Sequence, residues 1–200
     1  MIKITLEQLV SIRAGYSART RLTQGRPGGI RVVRPADVSV WQPVDYSALQ
    51  AMDIEPRNTG SHYLKSGELL FFGRSGQIYS VLLEDVPEKV IAAGSFLVLR
   101  VISGQNCLLP EYLNWFLNSS RARSFLQNTA GGSAQTVVTK SILGELEIPL
   151  PDLNVQEQIV QTWNLLLKEK ELTMERLKLR EELVNAAIED IIEESVSDEK

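Results

Sequence analysis

The chain has 200 residues, 44% of them hydrophobic, with 21 Lys/Arg against 25 Asp/Glu and a formal net charge of −4. That is enough for one packed core with a smaller appended element. The opening residues mix Lys3, Thr5, Glu7 and Gln8 among apolar ones, unlike a signal peptide, and no run reaches the roughly 18 to 20 apolar residues of a membrane span, so a soluble, cytoplasmic protein with no membrane partner is expected. Cys107 is the only cysteine, which excludes an internal disulfide, a cysteine-based zinc site and a CxxC redox pair and leaves it a small buried hydrophobe.

The first local feature is rich in arginine. Arg13, Arg19, Arg21, Arg26, Arg31 and Arg34 fall within 22 residues, and no Asp or Glu occurs between Glu7 and Asp37. Guanidinium groups bond bidentately to phosphate oxygens and to guanine O6 and N7, so a loop carrying several suits a duplex. Gly15, Gly25, Gly28 and Gly29 let its backbone approach closely. A solvated loop accounts for the composition equally well.

From Ile30 onward short segments dense in Val, Ile, Leu, Phe and Tyr predict strands over 30–34, 68–72, 77–83 and 95–102, in a mixed or antiparallel sheet. Between the second and third lies Gly73-Arg74-Ser75-Gly76-Gln77, a polar turn. Arg74 and Gln77 are donors of the kind that read bases and Ser75 suits a phosphate, although a plain hairpin turn explains the glycines too. Pro110 opens a predicted helix through Tyr112, Leu113, Phe116 and Leu117, and a second runs through Arg121, Arg123, Phe125 and Leu126 to Asn128. The loop at 131–136, with Gln135, could hold a phosphate on its amides but lacks the GxxxxGK[ST] pattern. Residues 145–150 predict a last edge strand ended by Pro149 and Pro151.

Beyond that edge strand Asn154, with Glu157 three residues on, predicts a helix start, and no Pro or Gly follows to about Glu194. About 40 helical residues would be roughly 60 Å long, too long to pack wholly on a domain of this size. Ile159, Trp163, Leu166, Thr173, Leu177, Val184, Ala187 and Ile191 recur at alternating steps of four and three, with Lys170 and Arg180 as interruptions. Leu165, Leu172, Leu179 and Ala186 lie one position off, and Ile188 widens the stripe further. Such a face calls for a partner helix. Charge divides at the same place: residues 1–150 carry 15 Lys/Arg against 12 Asp/Glu, and residues 151–200 carry 6 against 13. The expected division is a recognition domain over 1–152 and a long helix over 153–200 with a frayed acidic end.

Catalytic patterns are missing. No HExxH, GxSxG or GxGxxG occurs, nor the Asn/Asp-Pro-Pro motif of base-modifying methyltransferases. His62 is the only histidine and has no nucleophile near it in sequence, so it reads as structural. Trp41, Trp115 and Trp163 read as core or interface anchors. No catalytic residue, metal or cofactor is expected.

Four runs carry a resemblance: "LKSGELLFFGRSG" at 64–76, "AAGSFLVLRV" at 92–101, "LLPEYLNWFLNS" at 108–119 and "IPLPDLNVQEQIV" at 148–160. In that order and spacing the chain resembles the specificity subunit of type I restriction–modification enzymes, and "IRAGYSARTRL" and "GIRVVRPADV" look like the family's opening. The resemblance covers nearly the whole chain and rests on the order of the motifs. It implies an α+β fold: a β-rich target recognition domain followed by a spacer helix that pairs as an antiparallel coiled coil. It also implies double-stranded DNA as ligand, a modification subunit supplying the methyltransferase, and a restriction subunit reached through the complex. Typical members carry two recognition domains and two helices, whereas one of each stands here, so a homodimer through Ile159, Trp163, Leu166, Leu172, Leu177, Leu179, Val184, Ile188 and Ile191 is expected. Two-fold symmetry would make the site an interrupted palindrome. Arg19, Arg21, Arg26, Arg74, Ser75, Gln77 and Gln135 are the expected DNA contacts, with Lys65, Arg121, Arg123 and Lys140 toward phosphates. The rival expectations are a protein-interaction module that binds no DNA and a nuclease or methyltransferase fragment.

Overall fold

A computed structural model describes residues 3–17, 29–54, 60–102, 107–131 and 137–197. The chain divides into two units, Met1–Gln161 and Thr162–Lys200.

The first unit opens with β1 (Lys3–Thr5), the single-turn helix α1 (Leu6–Leu9) and β2 (Val10–Ala14). No element was expected before Ile30, because a single helical turn between strands of three and five residues is too short to show a period. The Thr5 amide donates to Gln8 Oε1 at 3.2 Å, and Leu6 and Leu9 go into the core. The next strands are β3 (Ile30–Val33), β4 (Ala51–Met52), β5 (Leu69–Arg74), β6 (Gln77–Leu82), β7 (Val90–Ala92) and β8 (Leu97–Val101). Helices α2 (Pro110–Leu117), α3 (Ser120–Thr129) and α4 (Lys140–Gly144) precede β9 (Glu147–Pro149).

The central sheet is antiparallel with order β2-β8-β5-β6, the second is β4-β3-β7 with β3 parallel to β7, and β1 pairs with β9. The α+β expectation therefore holds, with an antiparallel central sheet, a mixed second sheet and a long carboxyl-terminal helix. The unbroken Leu69-Leu70-Phe71-Phe72 run has a direct cause. Leu69 and Phe71 pack in one core with Tyr112, Leu113 and Phe116 of α2, while Leu70 and Phe72 pack in another with Val33, Val90 and Phe96. A strand covered on both faces has no polar side to show. Burying a residue such as Phe71 contributes about 1.5 to 3 kcal/mol.

The last helix, α5, spans Leu153–Ser197, 45 residues or about 68 Å along its axis. Its start corrects the sequence reading. Asp152, not Asn154, caps it: the Val155 amide donates to Asp152 Oδ1 at 3.2 Å. The earlier start brings Gln156 to a fully buried position, where its Nε2 donates to the carbonyls of Cys107 (2.7 Å) and Pro151 (2.8 Å) and its Oε1 accepts from the Leu109 amide (3.0 Å). Cys107 itself is half-buried against that core, not enclosed in it.

Candidate nucleic-acid interface

Strands β5 and β6 stay in register from Leu69↔Leu82 to Arg74↔Gln77, so two residues, Ser75 and Gly76, make the turn. Their φ angles are 52° and 77°, left-handed at both central positions, as a two-residue hairpin following the twist of its strands requires. Arg74, Ser75, Gly76 and Gln77 are exposed, and Gly73 behind them is buried. Arg74 also forms an antiparallel bridge with Val137, and the Val138 amide donates to the Gly73 carbonyl at 2.9 Å. The structure thus joins the turn to the residues that lead into α4, where Thr139 Oγ1 accepts the Ile142 amide at 3.3 Å and Lys140 stands exposed.

Side-chain pairing sorts the basic residues. Arg74, Lys65, Arg121 and Lys140 make no side-chain hydrogen bond or ion pair with any described residue and are exposed. Arg123 is half-buried and donates through Nη2 to Asn118 Oδ1 at 3.4 Å, which ties it into the framework between α2 and α3. Arg13 was grouped with the arginine-rich loop, but it lies on β2 and pairs with Glu68 at 3.3 Å. Arg100 on β8 reaches the same carboxylate at 2.7 Å, and the Lys65 amide donates to it at 2.8 Å. Glu68 is 1% exposed, so two guanidiniums and an amide hold one buried charge. Arg34 pairs with Asp37 at 3.1 Å. Arg19, Arg21, Arg26 and Gln135 lie outside the described residues.

The two ends of the central sheet differ in charge. At the Lys65 end, where β5 begins and β6 finishes, Glu84 and Asp85 follow the strand. Burial, with the charges of Asp85 and Glu84 behind it, pushes the Tyr46 phenol up to about 12. At the other end lies the Arg74 turn, and Ala14, the last residue of β2, is level with Leu97 and Phe71 in the register. Glu84 and Asp85 disfavour a polyanion next to them. Lys65 is therefore parted from Arg74 by the length of β5, roughly 20 Å.

Sequence reasoning passed over Glu68 and Arg100. The signal for Glu68 was its place, a lone acid between Gly67 and four apolar residues. His62 meets Tyr16 edge-on with ring centroids 5.6 Å apart, a framework contact. Trp115 packs against Tyr112 and Phe116, whereas Trp41 is 40% exposed and outside the core. Among the described residues no group of His, Cys, Asp or Glu is arranged to hold a metal, and no helix is long and apolar enough to cross a membrane.

In α5, Ile159 packs against the core of the first unit and Trp163 is half-buried. Leu166, Leu172, Leu177, Leu179, Val184, Ile188 and Ile191 are exposed, from 38% at Leu166 to 64% at Ile191. Polar positions pair along the helix, Lys168 with Glu171 at 2.7 Å and Lys178 with Glu182 at 3.9 Å.

A family model described as the type I restriction modification DNA specificity domain matches residues 3–181. No curated protein matches. Among solved structures, the HsdS subunit from Thermoanaerobacter tengcongensis is 18% identical with a TM-score of 0.58, over 88% of this chain and 39% of that one. A chain solved for the structural basis of complex assembly and conformational transition of the type I R-M system is 18% identical with a TM-score of 0.57, over 88% and 43%. The type I restriction-modification system S subunit from M. genitalium is 16% identical with a TM-score of 0.53, over 82% and 38%. At these identities the likeness is one of fold, and the chain spans about two-fifths of the length of the solved chains it matches.

Proposed function

The chain belongs to the type I restriction modification DNA specificity domain family, and on that premise we propose that it reads one half of a bipartite DNA site for a type I restriction–modification complex. The observation that carries this reading is the Arg74–Gln77 turn, exposed at the end of the sheet away from Glu84 and Asp85, with its guanidinium unpaired among the described residues. An arginine free at a rigid turn can fork onto guanine O6 and N7; one already clamped, as Arg13 is by Glu68, cannot. Gln77 and Ser75 flank it, Lys140 and Arg121 meet phosphates, and Arg19, Arg21, Arg26 and Gln135 complete the surface. Lys65 and Arg123 are the weaker members, one at the acidic end and the other bonded to Asn118.

The second recognition half comes from a second copy through α5, whose exposed leucines and isoleucines bury against their twins in antiparallel register. The chain performs no chemistry: a modification subunit supplies the methyltransferase, and a restriction subunit joins through that complex. Function requires the compartment that holds the DNA, the cytoplasm.

Two measurements test this. The solution mass should be that of two chains, and should fall to one with Leu177→Asp and Val184→Asp while the first unit stays folded. Affinity for duplexes enriched from a random pool should fall steeply with salt, because each phosphate contact releases counterions. Binding that ignores salt and sequence sinks the reading in favour of a protein-interaction module.

A further inference from the structure

On the reading that the Arg74 turn meets DNA, we propose that Gly73 and Val138 are positioning residues, a clasp that fixes the backbone of Arg74 from both sides so that its guanidinium reaches one base edge. Arg74 is paired with Gln77 on one side and Val137 on the other, so the last residue of β5 is an interior strand position although it ends a hairpin. The Val138 amide closes the arrangement on the Gly73 carbonyl at 2.9 Å. Val138 is 5% exposed and shares a core with Phe71 and Ile78, so the clasp is anchored in the domain interior. Only glycine permits the approach: a Cβ on Gly73 would stand 2.8 Å from Val138 Cβ and 2.9 Å from its Cγ2.

A bidentate fork onto a base must be placed within about 0.5 Å and 10–20°, whereas a contact to a phosphate tolerates more displacement. Loosening the clasp therefore affects sequence discrimination before it affects general affinity. A hairpin held on one side only would let the turn rock about its strand ends.

The test uses the full chain, a duplex that it enriches from a random pool, and the same duplex with each base pair changed in turn. Gly73→Ala inserts a methyl against Val138, and Val138→Ala, a milder change, trims the contact without a clash. In each folded variant discrimination should fall about tenfold at the one position that Arg74→Ala also affects, with affinity for the changed duplexes kept within about twofold. Arg74→Ala added to either should cost little more at that position, a non-additivity that plain destabilisation does not produce. Full discrimination in both clasp variants, or equal losses on every duplex, overturns the clasp while leaving the DNA-reading proposal standing. Failure of the unaltered chain to enrich any duplex overturns both.

Discussion

The carboxamide of Asn118 takes both backbone groups of Ser80: its Oδ1 accepts the Ser80 amide at 3.1 Å and its Nδ2 donates to the Ser80 carbonyl at 2.8 Å. Ser80 lies on β6, the last strand of the central sheet, and its amide and carbonyl point away from β5. One side chain from the end of α2 thus stands where another strand would pair, and it covers a free edge that could otherwise template association. Asn118→Leu removes both bonds from a site where Ser80 is fully buried, and should lower unfolding free energy by about 2 to 3 kcal/mol. Denaturant titration reads the loss, and light scattering should show association of the variant. Unchanged stability would mean that water satisfies Ser80 instead.

Glu68 holds β2, β8 and the start of β5 together through Arg13, Arg100 and the Lys65 amide. Both guanidiniums reach water, at 29% and 45% exposure, so they keep much of their solvation when the carboxylate is lost. Glu68→Gln should therefore cost about 2 kcal/mol, below the larger penalty expected for a fully enclosed ion pair. Calorimetry checks the midpoint. An unshifted transition would show that the three strands are held by packing alone.

Gln156, itself fully buried, joins the root of α5 to the segment ahead of α2 by two hydrogen bonds, to Cys107 and Leu109, and makes a third to the Pro151 carbonyl just before its own helix. Gln156→Leu keeps the volume but leaves the Leu109 amide and the Cys107 and Pro151 carbonyls without that partner. A loss of about 2 to 4 kcal/mol follows. Hydrogen exchange at Leu109 should quicken more than exchange in the middle of β5, since the damage is local.

Tyr46 titrates at about 12 against an ordinary 10.0, because burial and then Asp85 and Glu84 oppose its ionised form. The sign follows from proton counting. Between pH 10 and 12 the unfolded chain has lost a proton that the folded chain keeps, so this contribution is complete below pH 10 and disappears as pH rises through about 12. Tyr46→Phe should flatten the alkaline limb of the stability curve. Tyrosinate absorbance in the ultraviolet should lack one late-titrating phenol in that variant. A limb as steep as in the unaltered chain would assign the effect elsewhere.

Much of this molecule was local enough to read from residue order. The β5 and β6 strands, Pro110 at the head of α2, and the unbroken α5 follow from apolar spacing, proline and the absence of glycine, all carried by neighbours within a few residues. Arg74 as an exposed turn residue was legible for the same reason. Which arginines are free was not. Arg13 and Arg74 look alike in sequence, and only the register of β2, β8 and β5 places Glu68 beside one and leaves the other open. Gln156 and Asn118 are likewise ordinary polar residues until chain segments 49 and 38 positions away deliver the backbone groups they bind. Periodicity is a property of consecutive residues and survives in the sequence, whereas the pairing of a buried polar group depends on what the fold brings next to it, and that is set only when the sheets close.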